Sequence, residues 1–225
     1  MKKIAFFAMA LAIAVPCTVL AQTQDDARKE RKEVVKQSEK KLNAKVSKAT
    51  KKEAKRLKKE GWQPIGLPLE TQLERAYLKQ LEETETGYPV YIVGEGKSFG
   101  KTFNTAKNAA NEVAKNEIVG KMQAQITSLT ELSLDNNQLS PNDAVSIDKV
   151  LTASKNLVVK RLSRVIELVE FQREKDGGEE VLVRLAYNQK MALEEMKSVM
   201  QQELEKEDKD LHEELDKIFD QLFEH

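Results

Sequence analysis

Cysteine and histidine are scarce in this 225-residue chain: one Cys, at position 17, and two His, at 212 and 225. Cleavage after Ala21, argued below, would leave no cysteine at all, and with it no disulfide and no thiol chemistry. Zinc and copper sites lose their usual ligands in the same stroke. The acidic run from Glu203 to Asp210 lacks the loop glycine and ligand spacing of a calcium hand. Beyond the N-terminus there is no apolar run of membrane-spanning length. Tryptophan occurs once, at position 62, and no aromatic interrupts the lysine-rich stretch before it, so base stacking on nucleic acid has no platform there. No residue is assigned as catalytic, cofactor-binding or metal-binding.

What is present begins with a three-part export signal. Met1-Lys2-Lys3 is basic, Ile4 to Ala14 is apolar and uncharged, and Val19-Leu20-Ala21 places small residues at the −3 and −1 positions of a cleavage site. The expectation is a signal peptide over 1–21, an exported protein of the periplasm and an association with the outer membrane. Pro16 directly before Cys17 is a poor fit to a lipidation motif. Charge is balanced overall, 37 basic against 37 acidic residues, but not along the chain. Asp25 to Glu60 holds 15 Lys/Arg against 7 Asp/Glu, a net of +8, and Glu194 to Glu224 holds 12 Asp/Glu against 4 Lys, a net of −8.

Residues 22–60 read as a basic helical arm, rich in Lys, Glu and Ala, with too few apolar positions to bury much alone. Residues 61–87 read as a Gly/Pro-punctuated linker, anchored on the core by Trp62 and Ile65, and a short helix over Leu69–Thr84. The core domain is placed at 88–195. Tyr88 to Val93 is a strand by its β-branched and aromatic content. A long amphipathic helix begins at Phe99, with Phe103, Ala106, Ala110, Val113 and Ile118 in its stripe. Ser140-Pro141-Asn142-Asp143 starts another helix, with Ser as N-cap and Pro at the first position. Asp176-Gly177 turns a β-hairpin. Residues 196–225 are an acidic amphipathic tail with coiled-coil-like spacing of three, four and seven, the end of one helix from Gln189 to Phe223 that projects from the core. The expected fold is α+β: an antiparallel or mixed three-stranded sheet packed by long helices, with charged helical arms at both ends.

The stretch GEGKSFGKT, Gly94 to Thr102, touches three catalytic patterns and satisfies none. A phosphate-binding loop needs a glycine at 95, where Glu stands. A dinucleotide fingerprint needs one at 99, which is Phe. Gly96-Lys97-Ser98-Phe99-Gly100 fits a nucleophile elbow between strand and helix, but only His212 and His225 could serve Ser98 as base. The remaining reading is a tight strand-to-helix corner, with Gly94 and Gly96 admitting close packing and Ser98 or Thr102 capping the helix.

Tyr91-Ile92-Val93-Gly94-Glu95-Gly96, followed by Ala106, Ala109, Ala110, Ala114 and Ile118, resembles the Lpp-twenty family of small envelope lipoproteins. The hairpin from Val165 to Tyr187 is similar too, and the N-terminal domain of a flagellar-assembly protein shares the pattern. The resemblance spans roughly residues 88–187 and departs at Cys17, which lacks a lipobox. It implies a Gram-negative envelope protein without catalytic residues. The functional expectation is an exported structural or interaction protein acting through its core and charged helices. Its partners would be envelope proteins or a second copy, basic arm against acidic tail. The alternatives are peripheral binding of anionic lipid or lipopolysaccharide phosphates by the basic arm, and a serine hydrolase using Ser98. No cofactor and no nucleic acid are expected.

Overall fold

The computed structural model describes residues 43–206 and 211–223; the stretch read as an export signal and most of that read as the basic arm lie outside them. The chain divides between Lys45 and Val46 into two units, the second of which carries the whole sheet. Its elements are α1 (helical over the described residues 43–59), β1 (Gln63–Pro64), α2 (Leu69–Gln80), β2 (Tyr91–Gly100), α3 (Phe103–Asp135), α4 (Pro141–Arg161), β3 (Ile166–Lys175), β4 (Gly178–Asn188), α5 (Gln189–Lys206) and α6 (His212–Phe223). The α+β class is as the sequence implies. The sheet has four strands rather than three, antiparallel throughout, in the order β1-β3-β4-β2.

The additional strand is the segment read as a linker. Gln63 and Pro64 pair with Gln172 and Phe171 at the sheet edge, where a proline without N–H is tolerated. Two residues cannot show an alternation, which is why β1 left no pattern. Trp62 is buried and Ile65 half-buried, so the segment does anchor on the core. The hairpin turns at Asp176 and Gly177, both at positive φ (50° and 75°), the two-residue geometry whose twist matches the strands.

Both faces of the sheet are covered. Val181, Val183, Leu185 and Tyr187 of β4 point toward α3, which α4, α5 and α6 back with Val158, Met196, Leu215 and Phe219. Leu182 and Ala186 point the other way, with Phe171, onto Ala54 and Leu57 of α1, Trp62, and Leu69 and Leu73 of α2. The described end of the basic arm is thus a packed helix and not a free one. Its sparse apolar residues Val46, Ala54 and Leu57 share one face, and the sheet supplies the rest.

GEGKSFGKT is mostly strand. β2 runs through Gly94, Gly96, Ser98 and Gly100, and α3 starts only at Phe103, after Thr102 caps it by accepting from Thr105 N–H (3.3 Å). Phe99 belongs to the strand and is half exposed; Val113 sits on the outer side of α3. The glycines lie at period two on the face toward α3, opposite alanines at period four. A Cβ built on Gly94 would stand 2.2 Å from Ala114 O, one on Gly96 1.9 Å from Ala110 O, and one on Gly100 2.7 Å from Ala106 N. Close approach is therefore the reason for the glycines, and the corner itself is confined to Lys101 and Thr102. The approach brings α3 over the free edge of β2. Lys121 Nζ donates to Val93 O (2.6 Å), Glu95 N–H donates to Glu117 Oε2 (2.7 Å), and the two side chains pair with each other (2.7 Å). Charged side chains blunt an edge that would otherwise invite another strand.

The acidic tail does not project. α5 and α6 are two helices on either side of residues 207–210, and Leu204, Leu211, Leu215, Ile218 and Phe219 are all buried in the main core. Its described carboxylates are exposed or half-buried, so net charge concealed an apolar stripe. Likewise the first helix after Trp62 stops at Gln80, short of Thr84, leaving Leu81 exposed. Ser140 caps α4 as its sequence implies, accepting from Asp143 N–H at 3.2 Å with Pro141 in the first turn.

Candidate functional site

Ser98 stands in the β2–β4 ladder opposite Val181, with no turn around it to expose the hydroxyl as an elbow does. His212 opens α6, which packs on α5 and α3, and His225 lies outside the described residues. Among the described residues, no hydrogen bond joins Ser98 to a histidine. Among the described residues, no group of three or more His, Cys, Asp or Glu is placed to hold a metal ion. No described helix is long and apolar enough to cross a membrane.

The charged groups that do cluster are occupied with one another. Arg184 of β4 interrupts an otherwise apolar face between Leu182 and Ala186. Its guanidinium grips both oxygens of Glu53 on α1, and its Nε donates to Glu95 Oε2 (2.7 Å). Tyr77 of α2 donates to the same Glu53 (2.7 Å). Burial alone would raise the Glu53 pKa, but the bonds from Arg184 and Tyr77 outweigh it and hold the carboxyl below its usual range. Burial and the bond to Glu53 push Tyr77 upward. A second knot joins Arg173 to Glu180 (2.6 Å) and to Glu60 O (2.8 Å), with the guanidinium 4.5 Å from the Trp62 ring centre. The buried Gln72 amide bonds Ile65 O, Leu67 O and Glu170 N–H, tying α2 and β1 to β3. A signal for the first knot existed in the sequence: an arginine at an inward position of an alternating strand requires an acid facing it.

Lys107 of α3 serves two carboxylates, Glu170 and Glu167 (3.2 Å to the latter). Burial, then the neighbouring Glu170, raise the Glu167 pKa despite Lys107. A raised carboxyl pKa means that the ionised form is tolerated less well folded than unfolded, so this group opposes stability above its ordinary range. Glu167→Gln, which keeps the Lys107–Glu170 pair, should be neutral to mildly stabilising at pH 7. The gain should stay below about 1 kcal/mol because the site is part exposed. Urea unfolding at pH 7 and pH 4 reads it: the advantage should shrink at the lower pH, and a clear loss at pH 7 would refute the assignment.

Two surfaces stand out, one by its charge and one by its apolar hollows. On α1, Lys48, Lys51, Lys52, Lys55 and Lys59 form one exposed stripe opposite the buried Val46, Ala54 and Leu57. None of the five has an ion-pair partner among the described residues, whereas the neighbouring Lys58 pairs with Glu70 and Arg56 with Glu53 and Glu60. The second surface is an apolar groove beside the loop from Thr84 to Val90. It consists of two hollows of about 430 and 510 Å³ that share Tyr88, Pro89, Gln189 and Leu222 as walls. One end reaches Leu193, Phe223 and Lys190, the other Ala124, Gln125 and Leu129. Such volumes are those of sites for small ligands or a few side chains. Gln125 Oε1, like Thr50 Oγ1 and Asn111 Oδ1 elsewhere, is closed to solvent and has no hydrogen-bond partner among the described residues. A third hollow, beside Ser133 and Leu139, mixes Glu214, Lys217 and Asp220 and selects no charge type. Sequence reasoning missed the groove because its walls come from four separate segments, none patterned on its own. Compared with protein-family models, curated proteins and solved structures, the chain matches none.

Proposed function

We propose that the protein is an exported cell-envelope interaction protein, acting through protein–protein contacts of its core and charged helices. The observation that carries this reading is the lysine stripe of α1. The helix is fixed on the body by its apolar face, so five ammonium groups without an ion-pair partner among the described residues are presented along one line. The described ionisable clusters around Glu53, Arg173 and Lys107 are paired internally, and no hydrogen bond joins Ser98 to a histidine among the described residues. Export rests on the basic–apolar–small grammar of residues 1–21, and the envelope assignment on that and on the Lpp-twenty resemblance over residues 88–187. The complementary partner is an acidic surface: a neighbouring envelope protein, or the acidic 196–225 segment of a second copy. Opposite charges of this kind steer encounter and set register more than they add affinity.

The test is crosslinking in cells with a photoreactive group at position 51, followed by mass spectrometry, in the otherwise wild-type chain and in K48E/K52E/K55E. Reversing three exposed charges should weaken the contact about tenfold or more, and raised salt should mimic it. Crosslinks that persist unchanged in the triple variant would sink the proposal. The same stripe also suits an anionic membrane surface, where each lysine near the headgroups contributes about 1 kcal/mol. Co-sedimentation with phosphatidylglycerol vesicles but not phosphatidylcholine vesicles, lost in the triple variant, would favour that second reading.

A further inference from the structure

The outer edge of β2 is covered over only part of its length. Val93 O and Glu95 N–H both turn away from β4, to Lys121 and Glu117 of α3. Backbone groups of an antiparallel strand alternate between its two sides, so the N–H and C=O of Lys97 and Phe99 turn outward as well. Among the described residues, neither has a main-chain partner on that side. The cover changes character at the same place. Val113 stands one turn before Glu117 on the line of α3 that runs beside the edge, and it is apolar and exposed. Phe99, on the other face of the sheet, is half exposed.

We propose that this stretch of β2 pairs with the same stretch of a second copy, antiparallel about a twofold axis at Ser98, joining the two sheets edge to edge. Charge selects both the occupant and the register. An axis at Lys97 would set the two Lys97 side by side, and an axis at Phe99 would set Lys97 against Lys101, like charges in both. An axis at Gly96 would match Glu95 with Lys97 but needs Glu95 N–H and Val93 O, which α3 already holds. An axis at Ser98 uses the outward groups of Lys97 and Phe99 alone, for about four main-chain bonds. It sets each Lys97 against Phe99 of the copy, an ammonium beside a ring, and brings each Glu95 level with Lys101 of the copy. An unrelated strand would find the same backbone groups without this reciprocal match. Growth stops at two copies, because the opposite sheet edge is occupied by β1 and by the Gln72 amide on Glu170 N–H. This surface is separate from the lysine stripe of α1, and either can fail alone.

The experiment is analytical sedimentation of the purified full chain from micromolar to millimolar concentration. Wild type should form a dimer whose share rises with concentration. Lys97→Pro removes an outward N–H that the single chain does not use, at an edge position where proline is tolerated. It should abolish the dimer with the wild-type far-UV spectrum retained. Lys101→Glu, beyond the end of the strand, turns two attractions into repulsions and should raise the dissociation constant about fivefold or more. Register is read by oxidative crosslinking in a chain carrying Cys17→Ser. Ser98→Cys should crosslink, since residues facing each other across the axis lie about 4.5 Å apart at Cα, and Lys101→Cys should not. Should Lys97→Pro lose its spectrum, Lys101→Glu and the crosslink decide between them. A monomer at millimolar concentration overturns the proposal and leaves the edge to water or to a strand of another protein. A dimer that Lys97→Pro and Lys101→Glu leave unchanged overturns it too, as does equal crosslinking at positions 98 and 101. A dimer lost in K48E/K52E/K55E but kept in Lys97→Pro belongs to the lysine stripe, and the pairing of β2 falls.

Discussion

Gly96→Val should destabilise the protein by about 4 kcal/mol or more, at the upper end for a single substitution. Ordinary overpacking costs roughly 1–3 kcal/mol because neighbouring side chains rotate or shift. Here the obstacle is backbone. A Cβ at Gly96 meets Ala110 O at 1.9 Å and Ala114 N at 2.6 Å, and a helix carbonyl cannot turn aside without losing its own hydrogen bond. Relief therefore requires α3 to lift from β2. That would loosen Ala106, Ala110, Ala114 and Ile118 together, all fully buried, and pull Glu117 and Lys121 from the strand edge they cap. Even Gly96→Ala should cost well over 1 kcal/mol, and Gly94→Ala, whose nearest obstacle is Ala114 O at 2.2 Å, should behave alike. Gly120 is the internal control. It lies within α3 with open space around its Cβ direction, so Gly120→Ala should stabilise by roughly 0.5–1 kcal/mol from helix propensity. Urea unfolding of the four variants decides the matter, and a Gly96→Ala protein within 0.5 kcal/mol of wild type, on the scale of a surface change, would refute the close-packing account.

The same glycines show what the sequence revealed and what it withheld. Gly94, Gly96 and Gly100 look like punctuation, because glycine commonly ends a strand, and the reading placed the corner there. Their period of two, matched to Ala106, Ala110 and Ala114 at period four, is the better signal, since it describes a strand and a helix touching by backbone. Elements written in one continuous stretch were legible: the hairpin at Asp176-Gly177, the Ser140-Pro141 start of α4, the Thr102 cap. Features assembled from distant stretches were not. β1 is two residues long and exists because Phe171 and Gln172 lie beside it. Leu211 and, within α6, Leu215, Ile218 and Phe219 are buried in the core while the described acids of α6 are not, so a charge count over 196–225 hides the apolar half. The candidate surfaces divide in the same way. The lysines of α1 were visible as a basic arm, but which side of the helix they share with solvent depends on what Val46 and Leu57 pack against. The groove, drawn from the 84–90 loop, α3, α5 and α6, has no sequence signature at all.

Arg184→Leu should cost about 3 kcal/mol at pH 7, by stranding a carboxylate rather than by losing packing. Glu53 would keep its burial and its bond from Tyr77 but lose the guanidinium that holds both of its oxygens. The pH dependence separates this from a simple loss of volume. In wild type the folded Glu53 pKa lies below the ordinary value of 4.5. The stabilisation is thus complete above that value and is lost as pH falls through the lower, folded one. In the variant burial is no longer offset, so the Glu53 pKa should rise above the ordinary value, and protonation should relieve the stranded charge as pH falls. The stability gap between the two proteins should therefore be widest near neutrality and narrow on acidification below about pH 5. Tyr77→Phe removes one bond to the same carboxylate and should cost about 1.5 kcal/mol at pH 7, with the same narrowing toward acid. A double-mutant cycle between Glu53→Gln and Arg184→Leu should give a coupling of at least 1 kcal/mol. A gap that stays constant from pH 7 to pH 4, or a coupling near zero, would mean that α1 is held to the sheet by its apolar face alone. The lysine stripe would then rest on Val46, Ala54 and Leu57 without the charge lock. That outcome would make the presentation of the stripe insensitive to pH, whereas the lock ties it to the ionisation of one carboxylate.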